Sequence, residues 1–403
     1  MRSSSWSEPP RSATGWTWRM TVMRVGLNVE QLFHSAPGGI GRYTARLATL
    51  LTTLEPADEV TAFAAAHPPA SVRRVMATYG LARPALLGLP RPVLYDLWHL
   101  AGAPSLTTLS RRLRGLDVVH APSGAVPPRG RAALVVTLHD AGFIEHPETF
   151  TRRGRRFHAQ GMKAAVERAD RIITVSRAAA VEVARHTGLD DSRLRVVPHG
   201  ADQIEVSPDD VERVRRTFAI GARPYVFCVS TQEPRKNLRL LVAGFGRAVE
   251  RHGLPHLLVL VGARGWLHEE IADMPGATSL GDRIRVLGRV ADADLFPLYR
   301  GAALFALPTR HEGFGLPVLE AMGQGTPVLC SDVPPLVELV GEAGELVPHD
   351  EELWAGAIAR LLDDRDRREA LSAAGLRRAR ELTWDRCVRA TRAVYQEAIA
   401  SRA

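Results

Sequence analysis

The stretch ALFALPTRHEGFGLPVLEAM, residues 303–322, reads as a strand that ends, a glycine-rich loop and a helix that begins. The apolar run 303–307 has the composition of a buried parallel strand. Pro317 suits a first helical turn, where its missing N–H is no loss. Between strand and helix, Gly313 and Gly315 let backbone amides approach a ligand closely, and the helix N-terminus favours an anion. Glu312 lies in the loop, and Glu320 lies one turn into the helix, aimed back toward the same place.

Working outward, the same strand–helix unit recurs along the chain. Strand candidates occupy 23–29, 59–65, 117–121, 133–139, 171–176 and 194–200, then 225–230, 256–262, 283–290, 303–309, 326–332 and 344–348. Helix-length segments such as 237–252 and 315–324 fall between them, the signature of parallel α/β architecture. The pattern restarts after PHGAD (198–202), where a polar stretch leads to a new strand at Tyr225. Two doubly wound Rossmann-like domains are therefore expected, 23–205 and 206–384, joined near 203–222. A last segment, 385–403, is expected to cross back to the first domain. Ligands of such sheets bind outside the carboxyl ends of the strands, so two facing sheets create one cleft.

Composition narrows the class. At 403 residues the chain has room for two domains, and its hydrophobic and charged fractions, 45% and 24%, are those of a globular protein. No apolar run reaches the length of a membrane span. The three cysteines are far apart with no CxxC pair, which fits a reducing cytoplasm and no zinc site. Residues 1–22 lack a signal-peptide core and read as a disordered tail, with Met23 as the expected true start. The net charge of +8 rests on arginine, a bias that is not by itself a sign of nucleic-acid binding. The chain has only two lysines and two asparagines, and Lys236 and Asn237 are adjacent, which invites a functional reading.

STQEPRKNL (230–238) places Arg235 and Lys236 between a strand and a helix, where both heads reach the cleft, Arg as a fork and Lys as a point charge. An exposed basic loop is the plain reading of that pair alone; taken with the Glu312–Glu320 loop in the same half of the chain, phosphate is the expected ligand. A carboxylate beside a phosphate site is repelled by the phosphate but accepts hydrogen bonds from hydroxyls. A nucleoside diphosphate sugar, with phosphates in the middle and hydroxyls on both sides, satisfies Glu312, Glu320, Arg235 and Lys236 together. In the first half, APGGIGRYT (36–44) is a glycine-rich loop entering a helix. It lacks the third glycine of a dinucleotide fingerprint, and no acidic residue ends the next strand. Its amides are candidates for a donor phosphate or an acceptor. His139 and Asp140 end a buried strand at the expected cleft mouth. Asp292-Ala293-Asp294 has the spacing of a metal-binding DxD, but precedes a helix and is read as a cap that suits the dipole. No metal and no other cofactor are expected.

These elements together, Glu312-x7-Glu320, EPRKNL, GGIGRY and LHD, resemble the retaining glycosyltransferases of family 4, over about residues 23–400. The resemblance implies the GT-B fold, with a nucleotide-sugar donor and a glycan or lipid-linked acceptor. It implies that Arg235 and Lys236 hold the donor diphosphate, Glu312 the sugar and Glu320 the ribose. The amides around Gly313, Phe314, Gly315 and Leu316 would bind phosphate and sugar oxygens. His139 would lie near the reacting sugar, Gly39 and Gly41 near the donor, and Arg289 and Val290 at the nucleobase. Gly38, Arg42, Tyr43 and Asp140 are acceptor-side candidates. Arg235, Lys236, Glu312 and His139 carry the chemistry in this reading. The narrower likeness is to bacterial polysaccharide mannosyltransferases that use GDP-mannose; UDP-glucose and dTDP- or GDP-deoxysugars stay open.

The resemblance thus implies that the two glutamates grip opposite ends of one donor and are not an acid/base pair. Arginines in 110–115 and 151–160 suggest either solvated helix faces or attraction to a lipid-linked pyrophosphate acceptor or to the inner, anionic face of the cell membrane. A silent nucleotide-sugar-binding relative is the main rival, argued against by the intact charged set. An oxidoreductase is disfavoured by the failed fingerprint, and a nucleic-acid binder by the lack of aromatic–basic interleaving.

Overall fold

Two parallel sheets, built from runs of Val, Ile, Leu and Phe too apolar to face water, set the frame of the protein. The computed structural model describes residues 22–402 apart from Trp266 and His268. The expected N-terminal tail, Val22 excepted, lies outside the described residues. The first sheet holds β1 (Arg24–Asn28), β2 (Glu59–Ala64), β3 (Ala85–Leu86), β4 (Val118–Ala121), β5 (Ala133–Thr137), β6 (Arg171–Thr174) and β7 (Leu194–Val196). The second holds β8 (Tyr225–Val229), β9 (Leu257–Val261), β10 (Ile284–Gly288), β11 (Leu304–Leu307), β12 (Val328–Ser331) and β13 (Glu345–Val347). Their orders are β3-β2-β1-β4-β5-β6-β7 and β10-β9-β8-β11-β12-β13. Each is therefore a doubly wound Rossmann-like sheet, with helices covering both faces, which is why strands such as β9 and β11 are buried at every residue.

The topology decides where a site forms. In each sheet the winding reverses beside the first strand, between β1 and β4 and between β8 and β11. β11 pairs with β8 through Leu304↔Val226 and Phe305↔Phe227, so the loops leaving those strands emerge side by side. They are 230–237 and 308–315, the two segments that carry Arg235, Lys236 and Glu312.

The chain passes between the domains at two adjacent points. Ala201 N donates to Leu382 O at 3.0 Å, and Gly200 sits so close to Trp384 that a Cβ there would lie 2.1 Å from its amide nitrogen. The helix Trp384–Ala400 then packs on β4, β5 and β6 of the first sheet. Asp58, with its side chain fully buried, accepts from Arg392 Nε at 2.7 Å, and Tyr395 Oη lies 2.7 Å from His120 Nδ1.

Strand ends differ from the reading of the sequence where a different local rule takes over. The run 171–176 stops at Thr174 because Ser176 caps the next helix, its hydroxyl accepting from Ala179 N. The run 194–200 stops at Val196, two residues before Pro198. The two-residue edge strand β3 was not read from the sequence at all.

Candidate active site

Arg235 and Lys236 lie in a single 3₁₀ turn, Pro234–Lys236, closed by Asn237 in the left-handed region at φ 52°. Asparagine tolerates that conformation better than other residues with a Cβ. The rare Asn237 is thus a backbone requirement that turns the chain into the helix Leu238–His252, which corrects the functional reading of its pairing with Lys236. Lys236 Nζ is 2.5 Å from Glu312 Oε1. Arg235 donates from one terminal nitrogen to His311 O at 3.0 Å and from the other to Glu233 Oε1 at 2.9 Å, and lies 3.8 Å from Glu312 Oε2. Its buried Nε–H has no partner among the described residues. Burial pushes the Glu312 carboxyl up, but Lys236 and Arg235 outweigh it and hold it below the usual carboxylate range.

The helix after the Glu312 loop spans Leu316–Gly323. Gly315 precedes it at φ 101°, and a Cβ there would lie 2.4 Å from Leu336 Cδ2, so only glycine fits. Among the described residues, no backbone carbonyl accepts from the amides of Phe314, Gly315 or Leu316. They are free for oxygen atoms of a ligand. Glu320 is buried four residues on, about 6 Å along the helix. Its Oε1 is 2.9 Å from Arg42 Nε, and its Oε2 accepts from Tyr299 Oη at 2.9 Å. Burial leaves its carboxyl above the usual range despite these two partners.

The first domain closes the cleft. His139 Nε2 lies 2.8 Å from Pro122 O, an acceptor only, so Nε2 carries the proton and Nδ1 is bare in the neutral ring. Burial lowers its pKa and keeps it neutral. Asp140 is pushed up by burial but held at about 2 by Arg235, His311 and the Gly142 amide. Gly313 rests on His139: a Cβ there would be 2.3 Å from the His139 carbonyl oxygen. Ser176 Oγ donates to Gly313 O at 2.7 Å, and Glu338 accepts from Arg177 N and Ala178 N, both at 3.0 Å.

His139, Asp140, Arg235, Lys236, Glu312, Gly313 and Gly315 are thus brought together, with Gly39 reaching the same place: a Cβ on it would be 3.7 Å from Leu316. Other expected residues sit differently. Arg42, an acceptor-side candidate, turns to the second domain, where it binds Glu320 and both oxygens of Asp292, and also Asp202 at 2.9 Å. Tyr43 is buried beneath the cleft, edge-on to His139 at 5.7 Å and bonded to Thr137, so it supports His139 and offers nothing to an acceptor. Gly41 lies inside the helix Gly38–Leu50 with its amide given to Pro37 O, and its missing Cβ makes room for Pro37, not for a donor. Gly38 is exposed at the start of that helix. Arg289 is exposed and donates to Ser35 O across the cleft, with Val290 packed on the core beside it. Asp292 and Asp294 make no cap: they occupy the first turn of Asp292–Arg300, where they still suit the dipole, and bind Arg42 and Arg213.

The sequence reading missed Glu182, His311, Glu233 and Glu338. Glu182 had a signal, a lone carboxylate among Ala and Val on a helix face. The partners of the other three lie on separate segments or gave no pattern. Among the described residues no group of three or more His, Cys, Asp or Glu side chains is placed to hold a metal ion.

Residues 37–203 match the family model described as Glycosyltransferase Family 4, and residues 223–364 the one described as Glycosyl transferases group 1. O-antigen chain mannosyltransferase B of Escherichia coli is 32% identical over 282 residues, covering 69% of this chain and 74% of that one. The chain belongs to glycosyltransferase family 4. A D-inositol 3-phosphate glycosyltransferase of Kineococcus radiotolerans is 33% identical over 264 residues, 60% of each chain. Among solved structures, Anabaena HepE in complex with UDP and glucose superposes with a TM-score of 0.70 at 20% identity, covering 94% of this chain and 99% of that one. That likeness shows the fold, GT-B. This family 4 enzyme is accordingly a glycosyltransferase of polysaccharide or glycoconjugate synthesis.

Proposed function

We propose that this glycosyltransferase moves a mannosyl group from GDP-mannose to a hydroxyl of a growing or lipid-linked glycan, with retention of anomeric configuration. The observation that carries the reading is the Arg235–Lys236–Glu312 cluster, on two loops that leave adjacent strands, together with the free amides that open the Leu316–Gly323 helix. Lys236 spends one of its three N–H donors on Glu312 and keeps two for phosphate. Glu320, one helical turn further, suits the ribose hydroxyls, because Arg42 and Tyr299 hold its oxygens in place while lone pairs remain.

As the bond between the sugar and the diphosphate breaks, Arg235, Lys236 and the helix N-terminus stabilise the charge that grows on the phosphate. The acceptor hydroxyl approaches on the same face and passes its proton to a leaving phosphate oxygen. His139, neutral and with a bare Nδ1, accepts a hydrogen bond from the sugar or the acceptor. No metal takes part in this reading. The mannosyltransferase from Escherichia coli supports the choice of sugar, because the match spans 74% of its length against 60% of the inositol-phosphate relative's. The test is release of nucleoside diphosphate from a panel of GDP-, UDP-, dTDP- and ADP-sugars, with and without EDTA. Turnover of GDP-mannose, unchanged by EDTA, is expected. A different preferred donor overturns the sugar, and no turnover at all overturns the activity.

An anionic bilayer is the partner proposed for the first domain. Arg152, Arg153, Arg155 and Arg156 are exposed on the helix Arg152–Arg168. Phe157 of that helix stacks on buried Tyr95 at 5.7 Å, and the segment carrying Tyr95 exposes Val93, Leu97 and Leu100 at helical spacing. Exposed arginines and exposed apolar residues in one domain suit a lipid surface, and no helix among the described residues is long and apolar enough to cross one. Sedimentation with phosphatidylglycerol vesicles should show binding at low salt that high salt abolishes; equal binding to phosphatidylcholine vesicles contradicts it.

A further inference from the structure

Glu182 was not expected in the site, yet it touches both loops that form it. It is buried on the helix Arg177–Thr187 of the first domain. Its Oε1 accepts from the amide of Ala141, at 2.8 Å, immediately after His139 and Asp140. The same carboxylate holds His311 Nε2 of the second domain, with its two oxygens at 3.1 and 3.0 Å. His311 precedes Glu312, and its carbonyl accepts from Arg235 at 3.0 Å and from Thr309 Oγ1 at 2.9 Å. The loops also meet directly: a Cβ on Gly142 would be 2.7 Å from His311 Nδ1.

We propose that Glu182 and His311 act as one positioning pair, which sets the His139–Asp140 loop of the first domain against the Glu312 loop of the second for transfer. Neither residue touches the donor in this account, and the assignment rests on the donor reading given above. Stability alone does not account for the pair, since apolar replacements of a buried ion pair are often as stable or more so. Its value is geometric. A misplacement of about 1 Å between reacting groups costs on the order of a hundredfold in rate.

The pair carries a charge that pH can remove. Burial pushes the His311 imidazole down, but its hydrogen bond to Glu182 and the charges of Asp140 and Glu182 outweigh this and raise it, against Arg235. His146, 5.5 Å away ring to ring, and Glu145 are the other titratable groups facing it. Because the pKa is raised, the ion pair is complete at low pH and is lost as pH rises through that raised value.

The test uses the full-length enzyme and three variants, Glu182→Gln, His311→Gln and the double. With GDP-mannose, each single variant is expected to lose at least about tenfold in kcat, with KM nearly unchanged, and the double should be no worse than the singles. The wild-type kcat should fall on the alkaline side above the ordinary histidine range, a limb that His311→Gln lacks. Hydrogen exchange of the donor-free protein reads the pair independently of the donor. Peptides covering 138–143 and 309–314 should lose protection together in each single variant, and in wild type as pH rises, while those covering β8 and β9 stay protected. Failure of wild type to turn over GDP-mannose refutes the donor and leaves the exchange result to decide. Wild-type kcat and pH profile in the variants, or loosening of one loop without the other, overturns the pair.

Discussion

Replacing Lys236 with alanine is expected to lower kcat/KM for the donor by about a hundredfold. One charged hydrogen bond to the leaving diphosphate is worth about 1.5–3 kcal/mol, which converts to roughly ten- to a hundredfold in rate. The upper end applies here because a second effect adds to it. Glu312 is buried and depends on Lys236 at 2.5 Å, since Arg235 stands 3.8 Å from its other oxygen. Removing one member of a buried pair leaves the other charge uncompensated, at a cost of about 3–5 kcal/mol. The variant should therefore melt at lower temperature as well as react slowly. Lys236→Met combined with Glu312→Gln separates the two effects. That protein should recover much of its resistance to urea while its activity stays low, because the donor has lost both partners. Recovery of activity along with stability would show that Lys236 serves folding alone.

Gly313→Ala should abolish most turnover while leaving the fold nearly intact. A Cβ at this position would lie 2.3 Å from the His139 carbonyl oxygen and 3.0 Å from its carbon. Both are backbone atoms, so no side chain can swing away. The Glu312 loop and the His139 loop must part by about 1 Å, which costs on the order of a hundredfold in rate where reacting groups are held between them. The contact lies at the cleft and not in either core, so the melting temperature should drop by only a few degrees. Gly356→Ala is the control, because nothing lies within 4 Å of a Cβ there and alanine is the better helix former. Steady-state kinetics and a thermal melt on both variants suffice. A Gly313→Ala enzyme with wild-type kcat would mean that the domains react in a more open arrangement.

The sheets were legible because buried parallel strands are short apolar runs that need no partner to be recognised. Twelve of them show in the sequence, and β3 does not, because Ala85–Leu86 is too short to make a pattern. The meeting of Arg235, Lys236 and Glu312 was legible for a similar reason: each sits in a strand–loop–helix unit, and the two units leave adjacent strands. What could not be read was which side chain meets which across the cleft. Arg42 looked like part of an acceptor loop, and its three carboxylate partners lie from 160 to 278 positions further along the chain. Tyr43 follows it by one residue, and one helical step turns it from the cleft into the core. Glu338, capping a helix of the other domain, has no local sign of that role.

The most direct test of the account is a crystal structure of the enzyme with GDP. The diphosphate is predicted between Arg235, Lys236 and the amides that open the Leu316–Gly323 helix, with the ribose hydroxyls on Glu320. GDP bound with its phosphates away from Arg235 and Lys236, or its ribose away from Glu320, would contradict it.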